Sequence, residues 1–292
     1  MSVELSQEQI KNVLQGITIP PQPQVMVDLH MEQVMPNPDI STIAKLISQD
    51  VGLAGSVLKT VNSAFFGLKS KITSIQQAVS LLGFQSVINI VNALSIRGEL
   101  SDEAIVALNR FWDTAMDIAM ACTTIAKQIG FESPDEAYTL GLFHNCGIPL
   151  LMQRFDNYMN VMEQAYAHEG ERVIDVENRE LKTNHAVVGY YVAKSWNLPI
   201  YLCEAIAEHH NVIRIFKEKE TDNLRKKNML AILKIAEHIC GNFHILGGQD
   251  IDHEWEAVKD NLLVYAGLSE YDLQNLKDNC IEMGINSAQF SE

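Results

Sequence analysis

The chain has 292 residues, 47% of them hydrophobic and 20% charged, with 16 glycines and 8 prolines, a balance that excludes collagen-like and low-complexity disordered chains. A formal net charge of −15 argues against a protein that grips nucleic acid through its phosphates, which takes clustered Lys and Arg. The length fits about two domains or one large one.

Met1–Ser6 carries neither a basic nor an apolar stretch, so no signal peptide is expected. Ser6 followed by Glu8–Leu14 reads as a short capped helix, broken by Pro20, Pro21 and Pro23 and resumed over Val25–Val34. Pro36–Asp39 is a turn, with Asp39 or Ser41 capping a helix through Ile47. Asp50 opens the next, with Leu53, Val57, Leu58 and Val61 at helical spacing. From Ile72 to Ile96 there is no charge over 25 residues, long enough to span a bilayer. Gln76, Gln77, Gln85, Asn89 and Asn92 lie inside it and Gly83 interrupts it, so two buried helices are expected and no membrane span. Ser133-Pro134-Asp135-Glu136 is a start signal, with Ser at N-cap, Pro at the first helical position and Glu at the third. That helix is expected to run to about Asn145 and to stop at Gly147. No stretch alternates as a strand does, and the fold expected is all-α.

Charge divides the chain unevenly. Residues 1–100 hold 6 basic and 7 acidic residues, against 16 and 30 in the remainder. Two lobes are therefore expected, 1–100 and 101–292, meeting near Gly98–Asp102, with the sparsely charged first lobe as the surface offered to partners. The pattern of Trp255, Val258, Leu262 and Leu263 suggests that the C-terminal extension packs as helix. The five cysteines, without a CxxC pair, read as buried reduced thiols of a cytoplasmic protein.

Nine histidines carry the chemical interest. His144 closes the helix begun at Pro134. His185 opens a helix that runs to Trp196, Asn197-Leu198-Pro199 breaks the chain, and a second helix reaches His209 and His210. A short turn makes the two helices antiparallel, so His185 and the His209–His210 pair should meet at one end of the hairpin. Two readings fit: converging imidazoles that ligate a transition metal, or structural histidines favoured by helix C-termini.

The ordered set of motifs resembles the HD-related output domain (HDOD) proteins, bacterial signalling modules related to the HD-type metal-dependent phosphohydrolases. The residues that carry the resemblance run from Ile19-Pro20-Pro21-Gln22-Pro23 through Ile47–Leu53, Val61-Asn62-Ser63-Ala64-Phe65-Phe66-Gly67, Ile75–Ala78 and Leu82-Gly83 in the first lobe. Phe111-Trp112, Gly141–Asn145, His185 with Gly189, Trp196-x-Leu198-Pro199 and His209-His210 continue it in the second. The resemblance implies an HD-like second lobe and departs from the hydrolytic pattern where it matters. The first His of that pattern falls on Thr114, the His-Asp pair is His144-Asn145, and the later acid is Glu237. An amide carries no charge to offset a cation's, and a hydroxyl is a poor substitute for imidazole.

The resemblance thus implies a bacterial signal-transduction module that acts through contact with a signalling protein partner; Asn62, Ser63, Phe65 and Phe66 read either as contact residues or as helix-end and core residues before Gly67. No cofactor is required. The alternatives are a residual phosphohydrolase or phosphodiesterase with a single divalent ion (Fe, Mn, Zn or Ni) on His144, His185, His209, His210 and Glu237, and an effector domain that holds a nucleotide in the old pocket.

Overall fold

A computed structural model of the chain describes residues 7–68, 70–100, 106–217 and 223–285. Among them there are eighteen α-helices, one 3-10 turn (Ala64–Phe66) and no strand. The first six helices are α1 (Gln7–Val13), α2 (Gln24–Gln33), α3 (Ile40–Ser48), α4 (Val51–Val61), α5 (Ile75–Leu82) and α6 (Phe84–Leu100). The middle of the chain forms α7 (Val106–Gln128), α8 (Pro134–Phe143), α9 (Ile148–Arg154), α10 (Tyr158–Ala167), α11 (Val173–Leu181), α12 (His185–Ser195) and α13 (Ile200–Glu208). Then come α14 (Val212–Lys217), α15 (Leu224–Ile239), α16 (Asn242–Gly247), α17 (His253–Ala266) and α18 (Glu270–Glu282).

Three helix starts in the first hundred residues are set by side-chain caps. Asp39 accepts the backbone N–H of Ser41 at 3.1 Å and of Thr42 at 3.0 Å, which fixes the start of α3. Asp50 accepts Leu53 N–H at 2.9 Å for α4, and Ser74 accepts Gln77 N–H at 3.2 Å for α5. Each cap satisfies a donor that a helix start would otherwise leave unpaired. The expected cap at Ser6 and part of the expected boundary near Gly98–Asp102 lie outside the described residues. The uncharged 72–96 stretch is α5 and α6 in succession. Gly83, at φ 82°, takes a left-handed conformation between them that a side chain would strain. No helix of the described residues is long and apolar enough to cross a membrane.

Apolar packing forms two cores. Leu29, Ile43, Ile47, Val57, Val61, Ile72, Ile75, Ala78, Val79 and four residues of α6 (Val87, Ile88, Ile90, Val91) make the first. The second, larger core draws on α7–α18 and also takes Ala93 and Ile96 from α6, so that one helix serves both. The chain's start crosses over: Leu14, Ile17 and Met26 lie in the second core, and the indole of Trp196 donates to Pro20 O at 3.0 Å.

Two details around α8 differ from the sequence reading. Ser133 stands at the N-cap position, but its side chain accepts no capping bond. Its expected partner, Glu136, is turned outward to accept the Tyr201 hydroxyl at 2.7 Å and the Arg225 guanidinium. The helix also ends at Phe143, and Gly147 does not stop it. Gly147 has φ −73° and precedes α9. A Cβ there would lie 2.2 Å from His185 O, so the residue is Gly because α12 passes against it.

Candidate functional site: a buried histidine centre

The turn between α8 and α9 pressed against α12, and the α12–α13 hairpin, bring four histidines into one buried cluster. Asn184 caps α12 by accepting Val187 N–H at 2.8 Å, which sets His185 as the first helical residue. The hairpin then returns His209 and His210 beside it. His185 Nε2 lies 3.2 Å from His209 Nε2 and 3.1 Å from His210 Nε2.

The Nδ1 nitrogens of all four rings are engaged with acceptors. His185 Nδ1 donates to Glu177 Oε2 at 2.6 Å, His209 Nδ1 to Ile206 O at 2.7 Å, and His144 Nδ1 to Gly141 O at 2.6 Å. His210 Nδ1 lies 3.1 Å from both carboxylate oxygens of Glu254. A proton on each Nδ1 leaves the Nε2 lone pairs of His185, His209 and His210 turned toward one another. Ligands about 2.0–2.1 Å from a metal ion, at right or tetrahedral angles, stand roughly 2.8–3.4 Å apart. His185 Nε2 stands at that spacing from both partners, the three ligand atoms all lie within 4.8 Å of one another, and the three histidines form a group able to hold a metal ion. Burial, together with the fields of His210, His185 and His144, pushes the pKa of His209 well below its usual value and keeps that ring neutral.

Glu177 supports the centre from behind. It is fully buried on α11, accepts the Tyr158 hydroxyl at 2.7 Å, and receives both Nδ1–H and the backbone N–H of His185. Carboxylates behind ligating imidazoles fix the tautomer and orient the ring. Sequence reasoning missed Glu177, Glu254 and Lys234. Spacing offered a signal only for Glu177, eight positions ahead of His185. Glu254 comes from the segment beyond residue 240, which thereby contributes to the site as well as packing on it.

Of the five side chains proposed as ligands, the structure brings three to one point. His144 and Glu237 stand beside them, with His144 Nε2 3.4 Å from Glu237 Oε1 and the His144 and His209 rings 5.3 Å apart between centroids. Glu237 also accepts Asn242 Nδ2 at 3.1 Å and pairs with Lys234 Nζ at 2.9 Å. Burial opposes its charge, but the adjacent Lys234 prevails and holds its carboxyl well below the usual range. Thr114 is buried on α7, and Asn145 is buried with its Oδ1 unpartnered. Cys146 is likewise buried, its thiol pushed up by burial, and all five cysteines are buried.

Among the first hundred residues, Asn62 is held within the chain. Its amide donates to Leu58 O at 2.7 Å and Ile72 O at 2.8 Å and accepts Ile72 N–H at 2.7 Å, pinning the loop after α4. Ser63 is exposed. Phe65 and Phe66 pack edge-to-face, 5.0 Å apart, on a groove of about 800 Å³ shared with Leu81, Ile90, Tyr138 and Met283.

The family model of the HDOD domain matches residues 19–212, two thirds of the chain. The chain belongs to the HDOD family. An uncharacterized protein of Treponema pallidum (strain Nichols) is 30% identical over 192 residues, 63% of this chain and 36% of its own length, so this HDOD chain spans about a third of that relative. An HDOD domain protein of unknown function from Geobacter sulfurreducens has the same fold, with a TM-score of 0.68 at 20% identity over 94% of this chain and 97% of its own. A candidate metal-dependent phosphohydrolase from Shewanella amazonensis SB2B shares it too, with a TM-score of 0.67 at 16% identity over 94% and 95% of the two chains. At such identities the likeness to these two structures is one of fold.

Proposed function

We propose that this HDOD protein is a signalling module that acts by contact with a protein partner and does not hydrolyse phosphoesters, its histidine centre holding at most one divalent transition-metal ion. Enclosure of the centre carries this reading. His144, His185 and His209 are fully buried and His210 is 1% exposed, so a phosphoester has no path to the Nε2 atoms. Asn145, placed where the hydrolytic relatives carry an acid, adds no charge to offset a second cation.

His185, His209 and His210 would hold the ion, and imidazole ligands suit zinc, iron and nickel. Bound there, it supplies a positive charge that ties the start of α12 to the end of α13. The chain's own residues do the rest: Glu177 and Glu254 orient the rings, and the surrounding core excludes water. The first lobe, residues 1–100, is the contact surface in this reading. It is sparsely charged and presents one wall of the groove, at Phe65, Phe66 and Leu81, opposite Tyr138 and Met283.

Two measurements test the proposal. Metal-loaded protein is assayed on bis(p-nitrophenyl) phosphate and cyclic di-GMP beside His209→Ala. Equal background rates are expected, and metal-dependent turnover that vanishes in the variant overturns the non-catalytic reading. In cells, a photo-crosslinking residue is placed at Leu81 in the groove or at Val264, exposed on α17. A defined adduct through Leu81 is expected; adducts confined to Val264 overturn the assignment of the contact lobe.

A further inference from the structure

Among the described residues Lys234 is the only Lys or Arg that is buried, at 4% exposure. It projects from α15 one turn before Glu237. Its ammonium lies 2.9 Å from Glu237 Oε2 and pairs with Glu254 Oε2, which α17 brings in from the other side. The same Glu254 carboxylate receives His210 Nδ1–H, and the same Glu237 carboxylate faces His144 Nε2 at 3.4 Å. That His144 nitrogen is fully buried and has no hydrogen-bond partner. One buried carboxylate and one largely buried carboxylate thus converge on one point, a single positive group fills it, and His144 Nε2 faces the other oxygen of Glu237. Oxygen atoms from converging carboxylates are the ligands that hard divalent cations take.

We propose that the Lys234 ammonium occupies a second cation position, bounded by Glu237 and Glu254, and thereby limits the centre to the one metal ion of the histidine triad. The limit of one rests on the reading of that triad given above. The occupancy of the second position by Lys234 does not. Burial opposes the charge on all three groups, yet mutual attraction prevails: Lys234 is held well above its usual value, Glu237 well below, and Glu254 lowered to about 2. Removing the ammonium would leave two buried negative charges with no counter-charge between them, a deficit that a divalent cation matches in number.

The test uses full-length protein and Mn²⁺ as the probe, with bound ions counted by native mass spectrometry. Wild type is expected to retain at most one ion. Lys234→Gln is expected to retain one more than wild type, to melt higher with Mn²⁺ than without it, and to lose the additional ion in Lys234→Gln/Glu254→Gln. A wild type that already takes two ions overturns the proposal, as does a folded Lys234→Gln that gains none. A Lys234→Gln that refolds neither with Mn²⁺ nor without it also overturns it, because an ion at that position would restore the missing charge. A wild type that takes no ion at all refutes the single-metal reading alone, and the difference of one ion between the two proteins still decides the role of Lys234.

Discussion

The two cores are stabilised by different means. The first consists of buried aliphatic side chains on helices whose starts are capped by Asp39, Asp50 and Ser74, each acting within three residues of itself. The second encloses four histidines, three carboxylates and a lysine, and the pairs that neutralise them span long stretches of chain, 44 residues between His210 and Glu254 and 20 between Lys234 and Glu254. Local caps and apolar periodicity make the first tolerant of small changes. Charge pairing inside a low-dielectric interior makes the second intolerant, because each partner removed leaves another buried and unpaired.

The largest effect that would separate the cores is expected at Gly147. Gly147→Ala puts a methyl group 2.2 Å from His185 O, between backbones that cannot both retreat, and should cost about 3 kcal/mol or more. The check is a thermal melt followed by tryptophan fluorescence, since Trp112, Trp196 and Trp255 are all buried in the second core. A Tm within a few degrees of wild type would show that α9 and α12 can separate cheaply.

Next in size is Glu177→Gln. It keeps a hydrogen-bonding group near Tyr158 but withdraws the charge that aligns His185, and metal affinity at the triad is expected to fall about 10- to 100-fold. Isothermal titration with Zn²⁺ measures it, and an unchanged Kd would mean that the ring is positioned by packing alone.

Acid should divide the cores by pH. His209 is kept neutral in the fold, so its contribution is lost as pH falls below the ordinary histidine value of 6.5, where the unfolded chain takes up a proton that the folded one refuses. Glu254 is held charged to about 2 from an ordinary 4.5, and its contribution fades between those two values. In the first lobe Asp39 is lowered by the Thr42 hydroxyl and the Ser41 N–H, so its cap survives above the ordinary value of 3.8 and fails only below it. Tryptophan fluorescence is therefore expected to change before far-ultraviolet circular dichroism as pH falls from 7, and coincident transitions would contradict the division.

The smallest effect is expected from Asp50→Ala. Loss of one N-cap costs about 1 kcal/mol, with the second-core fluorescence signature of the native protein retained. A loss of that signature would show that the first core holds the second in shape.

This contrast also explains what the sequence made legible. The caps at Asp39 and Asp50, the α5–α6 break at Gly83 and the meeting of His185 with His209 and His210 follow from short-range geometry, and pattern alone places them. The separation of His144 and Glu237 from the triad does not, because Lys234 and Asn242 engage Glu237 only once α15 and α16 are packed. Glu254 was illegible for the same reason: nothing near it in the chain marks it as a partner of His210. At Ser133 the local signal was outweighed by a distant one, since Tyr201 and Arg225 take the glutamate that a capping box needs.

The polar side chains within the uncharged 72–96 stretch have a consequence of their own. Gln85 receives Gln33 and donates to Asn89 at 3.0 Å, and Asn89 donates to Asp135 on α8 at 3.1 Å. This amide relay runs from α2 through α6 to α8, across the seam between the cores. Each link is worth about 0.5–1.5 kcal/mol, within reach of the binding energy of an ordinary partner. Because α6 is a single rod of about 25 Å, a tilt of roughly 10° at one end would carry the other by about 4 Å. A tilt of that size would have to break or re-form the relay, so α6 and its amides together set how firmly the two cores are held to one another.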